Sequence, residues 1–210
     1  IAPLVFYDDF LGTAVLSDGT VMWSVVEVAL NLAIDPLADT ANGVMQLTMD
    51  ADNNAEDAVL YWGDQKGISL KHGAVFECRA RVAVAPTLTG QIVFGMAGDY
   101  HLDKDSVTES AWFKFDGGLA ALAETDDTTN DNDDVATGVT VAVGEYRVYR
   151  IDFTNLSDVK FYINGVGVAT GTTFDMSNLS DSEAVMQPYF SIDKGADTGV
   201  GTLWLDYVRV

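Results

Sequence analysis

The stretch that most limits what this chain can fold into is Glu145–Ala169, EYRVYRIDFTNLSDVKFYINGVGVA. Tyr149, Ile151 and Phe153 fall on one face and Arg150 and Asp152 on the other. Val159, Phe161 and Ile163 then share a face opposite Lys160 and Tyr162. Period-two alternation marks half-buried strands, because successive side chains leave a strand on opposite sides. Asn164-Gly165 supplies two residues that tolerate positive φ, as a two-residue hairpin turn requires. Two strands and a hairpin running into Val166–Ala169 follow.

The same pattern recurs along the chain. Leu4–Gly12 reads as a first strand, and Val26–Ile34 alternates strictly, although it also offers helical spacing through Val25, Val28, Ala29 and Leu32. Its β-branched residues favour a strand, ended by Pro36. Further strand candidates are Val44–Met49, Ala58–Trp62, Ile68–Lys71, Ala74–Ala85, Gln91–Ala97, Ala111–Asp116, Leu119–Ala123, Val139–Val143, Gln187–Asp193 and Leu203–Val210. Turn residues separate them at intervals of roughly 8 to 15, the rhythm of an all-β sandwich. Only Met176–Ser182 offers a turn or two of helix. The expectation is one domain over residues 1–210: an all-β, two-sheet antiparallel jelly-roll sandwich whose first and last strands pair or lie close.

Charge narrows the function. The chain has 32 acidic against 11 basic residues, a net charge of −21, which repels nucleic-acid backbones and anionic lipid. No apolar run is long enough to span a bilayer as a helix. The opening Ile1-Ala-Pro-Leu-Val-Phe-Tyr7 has no basic n-region and reads as strand rather than signal peptide. Cys78 alternates with Phe76, Ala80 and Val82 and reads as a small core residue; alone, it forms no internal disulfide.

Sites are harder to read. The polar run Glu124–Asp134 reads as a solvated loop, with calcium binding the sharper alternative. Neither it nor Asp50–Ala55 fits a calcium-loop pattern, since no glycine stands at the required turn. His72 and His101 have no partner at metal-ligand spacing and read as surface or structural histidines. No nucleophile elbow, phosphate-cradling glycine loop or cysteine–histidine grid is present, and no cofactor is implied. In Ala111–Asp116, Phe113 and Phe115 look inward, which puts Trp112 and Lys114 on the opposite face as a candidate contact surface. An outward tryptophan there is open to three readings: a protein contact, a residue covered by a loop, or a sugar platform.

Phe6–Gly12, Phe76–Val82 and Tyr149–Gly165 resemble the concanavalin-A-like jelly roll, a superfamily of laminin-G-type modules, legume lectins and family-16 glycoside hydrolases. Leu203–Val210 is similar to the last strand of those hydrolases. Their E-x-D-x-x-E motif is missing: Glu124-Thr-Asp126 comes nearest but has Thr129 at the closing position, inside the predicted loop. The resemblance also points to a structural calcium, for which Asp206 and the Asp8-Asp9 region match the family's positions. AWFKFDGG, QPYFSIDKG and LDYVRV, with the central hairpin, further resemble tailed-bacteriophage proteins. That likeness implies a non-enzymatic capsid decoration protein on the outer surface of the virion. Its partner would be the major capsid protein, and it would assemble as a homo-oligomer, a trimer, without nucleic acid or membrane. The alternative is a carbohydrate-binding, lectin-like module, virion-borne and reading host glycans.

Overall fold

The computed structural model describes residues 6–11, 22–29, 32–40 and 43–210. Their strands form two antiparallel sheets. Sheet A runs, edge to edge, β14 (Val166–Val168), β13 (Lys160–Ile163), β12 (Arg147–Asp152), β7 (Val75–Val84), β16 (Gly201–Arg209), β4 (Met45–Met49) and β3 (Ala33–Pro36). The short β1 (Tyr7–Asp8) pairs with the end of β16, so the first and last described strands are neighbours, as expected. Sheet B runs β11 (Asp131–Thr140), β10 (Ala120–Asp127), β9 (Glu109–Asp116), β8 (Gln91–Ala97), β15 (Val185–Asp197), β5 (Asn54–Tyr61) and β2 (Ser24–Val28). β6 (Ile68–Ser69) adds to the start of β15.

The inner faces are those the alternation predicts. Phe76, Cys78, Ala80 and Val82 of β7 meet Ile92, Phe94 and Met96 of β8 and Phe113 and Phe115 of β9 in one core. Aromatic rings tie the layers together: Tyr149 lies 4.8 Å from Phe94 and 5.1 Å from Phe113, and Phe161 lies 5.2 Å from Phe113, all edge-on. Such edge-to-face pairs contribute about 0.5–1.5 kcal/mol each beyond the area they bury. Asn164 and Gly165 take φ of +51° and +78°, the two positive values the hairpin between β13 and β14 needs.

Four sequence expectations change. Leu4, Val5 and Gly12 of the first strand lie outside the described residues, which give it only Tyr7–Asp8. Val26–Ile34 is not one strand: β2 belongs to sheet B and β3 to sheet A, and Ala29, at φ +96°, leaves the extended region after β2. Met176–Ser182 forms turns rather than helix. The acidic run is not a loop but the β10–β11 hairpin. Asp127 holds its turn, with Oδ1 accepting the backbone N–H groups of Thr129 (3.1 Å) and Asn130 (2.6 Å). Local side-chain caps of this kind replace the backbone partners that a tight turn loses.

Candidate functional site

Two outer faces remain, and they differ. On sheet B, Asp57, Val59 and Tyr61 of β5, Tyr189, Ser191 and Asp193 of β15, and Trp112 and Lys114 of β9 point away from the core. Segment 98–108 lies across them. Lys104 is 2 % exposed, and its ammonium spends all three donors there: on Asp57 Oδ1 (2.9 Å) and on the carbonyls of His101 and Leu102 (both 3.2 Å). Tyr100 adds a hydroxyl bond to Asp57 Oδ2 at 2.9 Å, and Val107 packs with Val59, Val93, Trp112 and Tyr189.

Trp112 and Lys114 therefore do not form an exposed contact surface. They face outward as the alternation predicts, yet Trp112 is 2 % exposed and Lys114 6 %. Trp112 donates its indole N–H to Glu124 Oε2 (2.7 Å), while Lys114 bridges Glu124 (2.9 Å) and Asp134 (3.0 Å). Burial pulls the Lys114 ammonium downward, but these two carboxylates outweigh it and hold the group above its usual range. Loop cover is the reading the geometry selects. Gly95 makes room for it: a Cβ there would lie 2.2 Å from the Ala111 carbonyl oxygen and 2.7 Å from Trp112 Cα.

Acids crowd one another on this face, where Asp126, Asp131 and Asp133 stand together beside Glu124 and Asp105. Glu124 and Asp126 stand on strand β10 rather than in a loop, but Glu124 is fully engaged and Thr129 sits in the turn. Burial, helped by Asp131, Asp127 and Glu109, pushes Asp126 up to about 6. Asp193, the cross-strand neighbour of Asp57, is pushed to about 7 by burial and by the Asp57 charge, against the pull of Lys104 and Gln91. Among the described residues no three His, Cys, Asp or Glu side chains converge as metal ligands. At the calcium positions implied by resemblance, Asp206 accepts from Arg79 at 2.6 Å and Asp8 accepts the Trp23 indole N–H at 2.7 Å. His101 turns its Nδ1 back to Asp103, as a structural histidine would.

Sheet A presents the open face. Here register lines up Tyr162 of β13, Arg150 of β12, Glu77 of β7, Arg209 of β16 and Tyr7 of β1 in one row across five strands. Glu77 Oε1 accepts from Arg209 (2.8 Å) and from the Tyr207 hydroxyl (2.8 Å), while Arg150 pairs with Asp152 and stacks on Tyr162. Tyr7 is 56 % exposed and lies 6.1 Å from the Tyr207 ring. The row opens on a cleft of about 720 Å³ with apolar walls from Ile68, Ala74, Val75 and Val210 and polar groups from His72, Glu77, Arg150 and Arg209. Period-two reading places Glu77 and Arg150 on outward faces, but their meeting depends on strand register, which no local pattern states.

Comparison with known proteins identifies the architecture. No protein-family model and no curated protein matches the chain. Solved structures do. A Bacteroides ovatus mixed-linkage glucan GH16 protein, in complex with a G4G4G3G product, superposes with a TM-score of 0.60 at 14% identity, covering 97% of this chain and 98% of the other. The fold is the concanavalin-A-like jelly roll. The Emp47p carbohydrate recognition domain gives 0.57 at 10% identity over 90% of this chain and 87% of that domain. A Shewanella oneidensis protein of unknown function gives 0.63 at 12% identity, covering 98% of this chain and 85% of its own. The jelly roll's structural neighbours thus include both carbohydrate recognition domains and glycoside hydrolases.

Proposed function

We propose that this chain is a carbohydrate-binding module whose ligand lies in the sheet A cleft, against the row of Glu77, Arg150 and Arg209. The row and cleft carry the reading. Sugar sites join an aromatic or apolar surface, for the faces of the ring, to a few fixed polar groups for its hydroxyls. Tyr7, Tyr207 and the cleft walls offer the first, and the two guanidiniums and Glu77 offer the second. Among the described residues Glu77 Oε2 has no hydrogen-bond partner, which leaves it able to accept from a hydroxyl. The structural neighbours that bind sugars support the reading at the level of fold. A binding role is favoured over hydrolysis because Glu124 is tied to Trp112 and Lys114 under the cap.

Titration calorimetry against glycans selected on an array tests this. Arg209→Ala and Glu77→Gln should each weaken binding by tenfold or more, with the melting temperature nearly unchanged, because Arg209 is exposed. Binding that ignores both substitutions would move the site elsewhere.

A second reading, a virion structural protein bound to a capsid, is supported by the residue make-up of the same open face. Arginine, tyrosine and tryptophan are the residues enriched at protein contacts. Co-sedimentation of the purified chain with empty capsids at fixed stoichiometry would favour it over glycan binding.

A further inference from the structure

Away from the cleft, a second row crosses sheet A. Register aligns Arg81 of β7, Trp204 of β16, Gln46 of β4 and Asp35 of β3, in that order. At about 4.8 Å per strand, Arg81 and Asp35 stand roughly 14 Å apart. Arg81 is stacked between Trp204 (3.8 Å to the ring centre) and Tyr146 (4.8 Å), and Arg79 covers Tyr146 at 4.3 Å. The stack fixes these side chains before any partner arrives, which removes part of the ordering cost of association.

Charge gives this face its character. In a chain with 11 basic residues and net charge −21, five of the basic residues, Arg79, Arg81, Arg150, Lys160 and Arg209, stand here. Four of them pair with Asp206, Asp152, Asp158 and Glu77, so the face is close to neutral and the excess of acid lies elsewhere. Arg81 and Asp35 are left without an ion-pair partner among the described residues. Both belong to the same row, at opposite ends.

We infer that this row is the centre of a two-fold interface with a second copy of the chain. A two-fold axis between Trp204 and Gln46 sets Arg81 of each copy against Asp35 of the other, and the tryptophans meet near the axis. Isologous contacts need a self-complementary patch. This row is one: at one end Arg81 donates to the Gly144 carbonyl (3.2 Å) but has no carboxylate partner, and at the other Asp35 has no cation among the described residues. The geometry therefore favours a dimer over the trimer implied by resemblance.

Sedimentation equilibrium from micromolar to millimolar protein, in about 150 mM salt, tests this without any glycan or capsid. The wild-type chain should be a dimer. Arg81→Asp and Asp35→Arg should each weaken it at least tenfold, because each sets like charges face to face. The double variant R81D/D35R should recover most of the affinity, since the reversed pair is again complementary across the axis, and thermal melts report whether each variant folds. A wild-type monomer or trimer, or a folded double variant no tighter than the single ones, would overturn the inference. None of these results depends on whether the cleft binds sugar.

Discussion

Replacing Asp193 by asparagine should make the protein more stable at pH 8 and leave it nearly unchanged near pH 4. Asp193 sits beside Asp57 under the 98–108 cap, with one carboxylate oxygen bonded to Gln91 at 3.0 Å and the other buried with no hydrogen-bond partner among the described residues. Burial and the Asp57 charge raise it from an ordinary 3.8 to about 7. Between those values the folded chain keeps a proton that the unfolded chain has released. Stability is therefore full below about pH 4, falls as pH rises towards 7, and levels off above it. At about 1.4 kcal/mol per pH unit, the loss is roughly 4 kcal/mol as an upper bound, and 2–4 kcal/mol once partial exposure of the residue is allowed for. Asparagine keeps an acceptor for Gln91 and never ionises. Urea midpoints of wild type and Asp193→Asn, measured every half unit from pH 4 to 8.5, isolate this group because other titrations cancel in the difference. A stability gap that stays flat with pH, or a variant weaker at pH 8, would refute the reasoning.

Two further outcomes follow from the same face. Lys104→Met should cost about 3–5 kcal/mol, because it leaves Asp57 buried and uncompensated, and hydrogen exchange should accelerate across 98–108. Gly95→Ala should cost at least 3 kcal/mol and lower the thermal midpoint by several degrees, since its methyl would occupy backbone space of β9.

Most of the sandwich is legible in local alternation. Phe76-Glu-Cys-Arg-Ala-Arg-Val82 and Tyr149–Ile163 sort their side chains inward and outward as written, because one buried face fixes each strand's register to its own sequence. Val26–Ile34 fails for a different reason: alternation says that residues are extended, not which sheet receives them. Glu124–Asp134 fails because acid density reads as solvation, whereas Lys114 and Trp112, ten and twelve residues earlier, supply the partners that let those acids sit in a strand. Trp112 shows the limit for sites. Its outward direction is local, but its burial comes from Lys104 and Val107, which approach from another segment. The Glu77 row depends on five strands distant in sequence, and only three-dimensional register assembles it.

The order of the strands has a consequence for synthesis. β15 lies between β5 and β8, and β16 between β4 and β7, so residues 185–209 supply an interior strand to both sheets. While the ribosome is still making residues 185–209, neither layer can close, and the flanks of β4, β5, β7 and β8 remain unpaired templates. Folding to the native sandwich therefore waits until residues 185–209 have been made. Chains cut short before Val185 should be found in aggregates or with chaperones rather than as a smaller, stable sandwich.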